Sequence, residues 1–228
     1  MILGRRDFLR MAGAAALAPR LGSLELPAVA AAGFGFRWPG YDNALVVDCL
    51  ASPGEFNVRQ GAGGLQDRAL VAARASGITA VNLTVGVVGE MPDPFESTVK
   101  DLARWETTID DHPDLFRRVR TVSDLREAKR LGQMGLAYGF QDTVMLEADL
   151  ERMDAFHGLG VRIVQLTYNG RNRVGDGCLE PGNAGLSRFG HELVERLNAL
   201  GVLVDLSHCG QRTTAEGIAA SERPVGIT

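Results

Sequence analysis

Leu200-Gly201-Val202-Leu203-Val204-Asp205-Leu206-Ser207-His208 joins a helix end, an apolar run and an imidazole in one short stretch. Glycine just past a helix adopts the left-handed conformation cheaply and stops the helix. A near-continuous apolar run of this length fits a strand covered on both faces, as in parallel sheets. Upstream, Ser187 is placed to cap a helix, and Phe189, Leu193, Val194, Leu197 and Leu200 form an apolar stripe at helical spacing. Arg188, Glu192, Glu195 and Arg196 fall largely off that stripe.

The same order recurs along the chain. It reads Ser76-Gly77-Ile78-Thr79-Ala80-Val81-Asn82, then Met134-Gly135-Leu136-Ala137-Tyr138-Gly139-Phe140-Gln141, then Leu159-Gly160-Val161-Arg162-Ile163-Val164-Gln165-Leu166-Thr167. Leu45–Cys49 reads as a first strand and Pro224–Thr228 as the start of a last one. Strands alternating with helices predict parallel βα units with right-handed crossovers. A closed eight-stranded (β/α) barrel takes about 250 residues. The roughly 200 residues after Ala32 hold about six units at about 30 residues each. The predicted fold is therefore α/β: a TIM-type barrel, incomplete, with about six of eight βα units. An open doubly wound sheet is the alternative.

The composition is that of an ordinary globular domain, with 45% hydrophobic and 23% charged residues. A net charge of −4 and no basic stripe give no footprint for nucleic acid. Three cysteines, Cys49, Cys178 and Cys209, are too few for a disulfide scaffold and leave at least one unpaired within the chain. At the start, Arg5-Arg6-Asp7-Phe8-Leu9 matches the twin-arginine export pattern, and Ala28-Val29-Ala30 offers a small-x-small cleavage site. The Ala-rich stretch between Arg10 and Arg20 falls far short of the ~20 apolar residues that a membrane span needs. Residues 1–32 are thus expected to be a twin-arginine signal, residues 33–228 the partial barrel, and the location periplasmic or secreted.

In α/β folds the chemistry sits at the carboxyl ends of strands. The polar groups there are Asp48 and Cys49, Asn82 and Thr84, Gln141 and Asp142, Thr167 to Asn169, and Ser207 to Cys209. Only the last group has a histidine, a common metal ligand and general base. Alternation along the strand, carried to His208, places Val204, Leu206 and His208 inward and Asp205 and Ser207 toward the helices, which would make Asp205 structural. His112 reads as a turn at a helix end, and His157 and His191 as helix residues. Gln60-Gly61-Ala62-Gly63-Gly64 lacks the GK[ST] of a phosphate loop and reads as a flexible loop. The long Gly-rich segment Asn169–Gly185 follows a strand on the presumed active face and is a candidate substrate loop, with Cys178 an exposed, oxidisable thiol.

Gly185-Leu186-Ser187-x-Phe189-Gly190, with Val194-x-x-Leu197-Asn198-x-Leu200-Gly201-Val202-x-Val204-Asp205-Leu206-Ser207-His208, resembles the signature of the renal (membrane) dipeptidase family. Gly158-Leu159-Gly160-Val161-Arg162-x-Val164-Gln165-Leu166-Thr167-Tyr168-Asn169 and Pro224–Thr228 fit it too. The likeness is continuous from about 130 to 228 and looser from 44. It implies a zinc metallopeptidase in which two zinc ions, bridged by a Glu and a water, activate that water to attack a dipeptide bond. His208 stands at a zinc-ligand position. The family's next zinc His, its substrate-binding Arg and its catalytic Asp fall after Thr228, so the catalytic residue of this sequence is unknown.

Inside the chain the likeness departs from the pattern. Asp48-Cys49-Leu50-Ala51-Ser52 stands where the family has Asp-Gly-His-x-Asp, Gln141 stands at the bridging Glu, and Tyr168 stands at a substrate-contacting His. Tyr168 and Asn169 are the substrate-binding candidates. Asp48 and His208, with Cys49 or Cys209 as an optional third member, form a substitute single-metal candidate. The expected function is hydrolysis of dipeptides or similar small amides. The alternative is a metal-poor relative that binds a small peptide-like ligand without cleaving it. No nucleic acid or membrane span is expected, and a homo-oligomer is compatible with the sequence. An aldolase-type barrel is set aside because the only lysines are Lys100 and Lys129, neither at a strand end.

Overall fold

The computed structural model describes residues 38–54 and 64–228. The expected signal segment, residues 1–32, and Gln60–Gly63 lie outside the described residues. Seven strands are present: β1 (Val47–Asp48), β2 (Ala80–Thr84), β3 (Phe116–Arg118), β4 (Met134–Phe140), β5 (Val161–Gln165), β6 (Leu203–Asp205) and β7 (Val225–Gly226). Six helices accompany them: α1 (Asp67–Ser76), α2 (Pro94–Asp111), α3 (Val122–Leu131), α4 (Glu151–Leu159), α5 (Arg188–Leu200) and α6 (Gln211–Ala220).

All the strand pairs are parallel, in the order β1-β2-β4-β5-β6-β7. A doubly wound sheet would reverse its strand order at a switch point. Here the six strands follow the chain, and with their helices they form the incomplete TIM-type barrel expected from the sequence. The three-residue β3 pairs with the first half of β4. It is too short to show a period, and the sequence pattern gave no sign of it. Gly40–Thr228 forms one compact unit. Among the described residues, no helix is long and apolar enough to cross a membrane.

The helix-glycine-strand pattern sets the local structure. α5 starts at Ser187, whose hydroxyl accepts from Gly190 N at 3.0 Å. It ends at Gly201, in the left-handed region at φ 70°. Its stripe packs as expected, with Leu193, Val194 and Leu197 fully buried and Phe189 and Leu200 against the core. In the second repeat the glycine that ends the helix is Gly132, not Gly135. Gly135 lies inside β4, where a Cβ would come within 2.6 Å of Val119 Cγ2.

Between sheet and helices lies a continuous apolar layer. Val81, Leu83, Leu136, Phe140, Val161, Val164 and Val204 meet Leu102, Trp105, Phe156, Leu193 and Leu197 in one core. Phe140 and Phe156 pack edge to face at 4.9 Å. Tyr138 is wholly buried, and its hydroxyl donates to Glu106 at 2.7 Å. Desolvation, reinforced by that carboxylate, raises the phenol's pKa.

Candidate functional site at the carboxyl ends of the strands

β6 ends at Asp205 and the chain then turns, so alternation does not carry through to His208. For Val204, Asp205 and Leu206 the faces are opposite to those that an inward His208 would have implied. Leu206 packs against α6, where a Cβ on Gly217 would lie 2.7 Å from Leu206 Cδ2. Val204 shares that core, so Asp205 takes the opposite face. Asp205 is nonetheless committed to local structure: one carboxylate oxygen accepts from Ser207 N at 2.8 Å and the other from Thr228 Oγ1 at 2.6 Å.

His208 is exposed and has a left-handed backbone, φ 57°, uncommon outside glycine. Tyr168 stacks on its ring, with centroids 4.3 Å apart and planes 20° apart. Its Nδ1 lies 2.9 Å from Asn169 Oδ1. Cys178 Sγ lies 3.6 Å from the same oxygen, and Cys178 N donates to the His208 carbonyl at 2.7 Å. The structure therefore brings together His208 and the two substrate-binding candidates, Tyr168 and Asn169, and adds Cys178.

The segment after β5 is tied down at several points. Asn172 Nδ2 donates to Asp142 Oδ1, Thr143 Oγ1 and the Leu166 carbonyl, at 2.8, 3.0 and 2.9 Å. Its Oδ1 accepts from Val174 N and Gly175 N. Asp176 is buried and pairs with Arg171 at 2.7 Å. That hydrogen bond, helped by one from Ala184 N, holds the Asp176 carboxyl below its ordinary range against the cost of desolvation. A short antiparallel bridge joins Gly177 to Cys209.

A cleft of about 640 Å³ opens beside this assembly. Tyr168, Asn169, Asp142 and Thr143 line it, together with the acidic Glu90 and Glu147 and the basic Arg171 and Arg173. Arg171 and Arg173 fall in the candidate substrate loop, while Glu90 and Glu147 belong to no motif and nothing in the sequence marked them out. Glu147 has a strained backbone, φ 50° and ψ −111°, and its carboxylate pairs with Arg152.

The other candidates make local contacts of their own. Asp48 Oδ1 accepts from Leu50 N at 3.0 Å in a local turn. The Gln141 carbonyl accepts from Gln165 Nε2 at 2.7 Å. Cys49 is exposed. Cys209 is buried with Thr167 Oγ1 3.3 Å from its sulfur, and burial pushes its thiol pKa up, away from the thiolate a metal needs. Among the described residues, no three His, Cys, Asp or Glu side chains gather as a metal-binding group. No three-member set of Asp48 and His208 with Cys49 or Cys209 is therefore formed among them.

The donor chemistry does not fit a two-zinc centre. Leu50 has no donor atom. The Ser52 hydroxyl already accepts from Gly54 N at 3.2 Å. Gln141 offers a neutral amide where two dications about 3.5–4 Å apart call for a bridging carboxylate. Among the ligand positions the resemblance assigns within the chain, only His208 keeps its expected donor.

The chain is similar to dipeptidase verJ from Clonostachys rogersoniana, 29% identical over 141 residues, which are 61% of this chain and 36% of that protein. Its fold matches an amidohydrolase from Pseudomonas aeruginosa at 36% identity and a TM-score of 0.70, over 81% of this chain and 52% of that one. The probable dipeptidase PvdM from the same organism shares the fold at 22% identity and a TM-score of 0.66, over 82% of this chain and 52% of its own. The chain thus spans about half the length of these solved relatives and about a third of the curated one. The model of the membrane dipeptidase family, peptidase family M19, matches residues 43–228. The chain belongs to the membrane dipeptidase family.

Proposed function

We propose that the protein acts on dipeptides or similar small peptide-like amides bound at the mouth of the barrel. The observation that carries this reading is the convergence of His208, Tyr168 and Asn169 beside a cleft of about 640 Å³. That volume lies in the range of small-molecule sites. Acidic and basic side chains on its wall suit a ligand with an amine at one end and a carboxylate at the other. Tyr168 supplies an aromatic face and Asn169 an amide, while His208 stands where the family places a zinc ligand. Family membership supports hydrolysis of a dipeptide bond. The residues present do not make the two-zinc set, so no step is assigned to a metal pair. A second reading, binding without cleavage, is favoured by Leu50, Ser52 and Gln141.

Titration calorimetry with a dipeptide panel tests the first point, and amine release from the same samples, with and without added zinc, tests the second. Binding with hydrolysis is the expected result, and binding alone selects the second reading. Tyr168→Ala should weaken binding about fivefold, or ~1 kcal/mol. No binding by the wild-type protein contradicts both readings. We also propose twin-arginine export to the periplasm, supported by Arg5-Arg6-Asp7-Phe8-Leu9. Export that survives Arg5→Lys with Arg6→Lys overturns it.

A further inference from the structure

We propose that Asn169 is a positioning residue for His208, fixing the imidazole as its Nδ1–H tautomer and leaving Nε2 as the acceptor. This departs from the substrate contact expected of Asn169. A neutral imidazole has one N–H and one bare nitrogen, and its partners decide which is which. An amide oxygen only accepts. At 2.9 Å from Asn169 Oδ1, Nδ1 therefore carries the hydrogen. The amide's orientation follows from its second neighbour, because the Cys178 thiol, at 3.6 Å from the same atom, is also a donor. With the thiol donating on that side, the oxygen and not the NH₂ group faces it, and Nδ1 beside the same oxygen is the second donor.

Two further contacts hold the residue. Tyr168 covers one face at 4.3 Å. The backbone of His208 is pinned in its left-handed turn by the bond from Cys178 N to its carbonyl, 2.7 Å long. That bond depends on Gly177, which lies so close to the chain that a Cβ would fall 2.1 Å from the Tyr168 carbonyl oxygen. A histidine held this way offers one defined nitrogen, Nε2, to take a proton or a cation. Hydrogen-bonding partners of this kind commonly orient functional histidines.

The inference rests on the reading of His208 as a site residue, but its test needs neither substrate nor turnover. In ¹⁵N-labelled full chain at pH 8, two-bond ¹H–¹⁵N spectra report the protonation of both nitrogens in each of the four histidines. His208→Ala assigns the His208 signals. The expected wild-type pattern is a protonated Nδ1 and a bare Nε2. Asn169→Leu or Asn169→Ala should lose it, through a shift to Nε2–H or tautomer averaging, and Asn169→Asp, which keeps an acceptor, should restore Nδ1–H. An Nε2–H tautomer in the wild type overturns the proposal, as does an Nδ1–H signal that survives in a folded Asn169→Leu or Asn169→Ala protein. Absence of peptide binding alongside the expected tautomer rejects the hydrolase reading and leaves the positioning role standing.

Discussion

Gly177 shows how one residue holds the site. Its missing side chain lets the segment after β5 lie against Tyr168 and Asn169, and a Cβ there would come 2.1 Å from one backbone oxygen and 2.5 Å from the next. Backbone cannot yield as a flexible side chain can. Gly177→Ala should cost roughly 1–3 kcal/mol and weaken peptide binding, checked by denaturant unfolding and calorimetry. Asp176 acts through charge. Its folded pKa is depressed, chiefly by the Arg171 hydrogen bond, so its contribution is full above the unfolded value of about 3.9 and is lost as pH falls through the lower folded value. Asp176→Asn should therefore be less stable than wild type at pH 7, and the gap should close below about pH 4 in unfolding curves at both ends. Of the site residues, His208, Tyr168 and Asn169 were legible in the sequence because they sit in a continuous signature. The loop that carries Cys178, Arg171 and Arg173 was legible too, but the contact of Cys178 with Asn169 and the acidic residues Glu90 and Glu147 were not, because they depend on how the chain folds back.

At the scale of elements, the capping chemistry predicted best. Each of the helix-glycine-strand repeats holds in the structure, although the second uses Gly132. α3 adds a capping box: Thr121 Oγ1 accepts from Asp124 N at 3.2 Å, and Asp124 Oδ2 accepts from Thr121 N at 2.8 Å. Thr121→Ala should cost about 1 kcal/mol and leave peptide binding unchanged, since α3 contributes no residue to the cleft lining. Strand phase predicted worst. A run such as Val202–Leu206 is covered on both faces, so its apolar residues do not say which face is which. Leu206 therefore had to be placed by its contact with Gly217. His208 lay past the last strand residue, where alternation no longer applies.

Across the described residues, seven parallel strands build one sheet whose carboxyl ends carry the site. That much, β3 apart, followed from sequence because glycine caps, apolar runs and helix stripes repeat at a steady spacing. The ligand set is where family and chain diverge. The chain belongs to the membrane dipeptidases, and by the resemblance His208 stands at a ligand position while Leu50, Ser52 and Gln141 stand where a zinc pair requires donors. Restoring Leu50→His, Ser52→Asp and Gln141→Glu together should raise zinc retention. The direct measurement is zinc per chain in the purified, zinc-loaded and dialysed wild-type protein, by inductively coupled plasma mass spectrometry. The account predicts no more than one zinc per chain, lost in His208→Ala; two zinc ions per chain would contradict it.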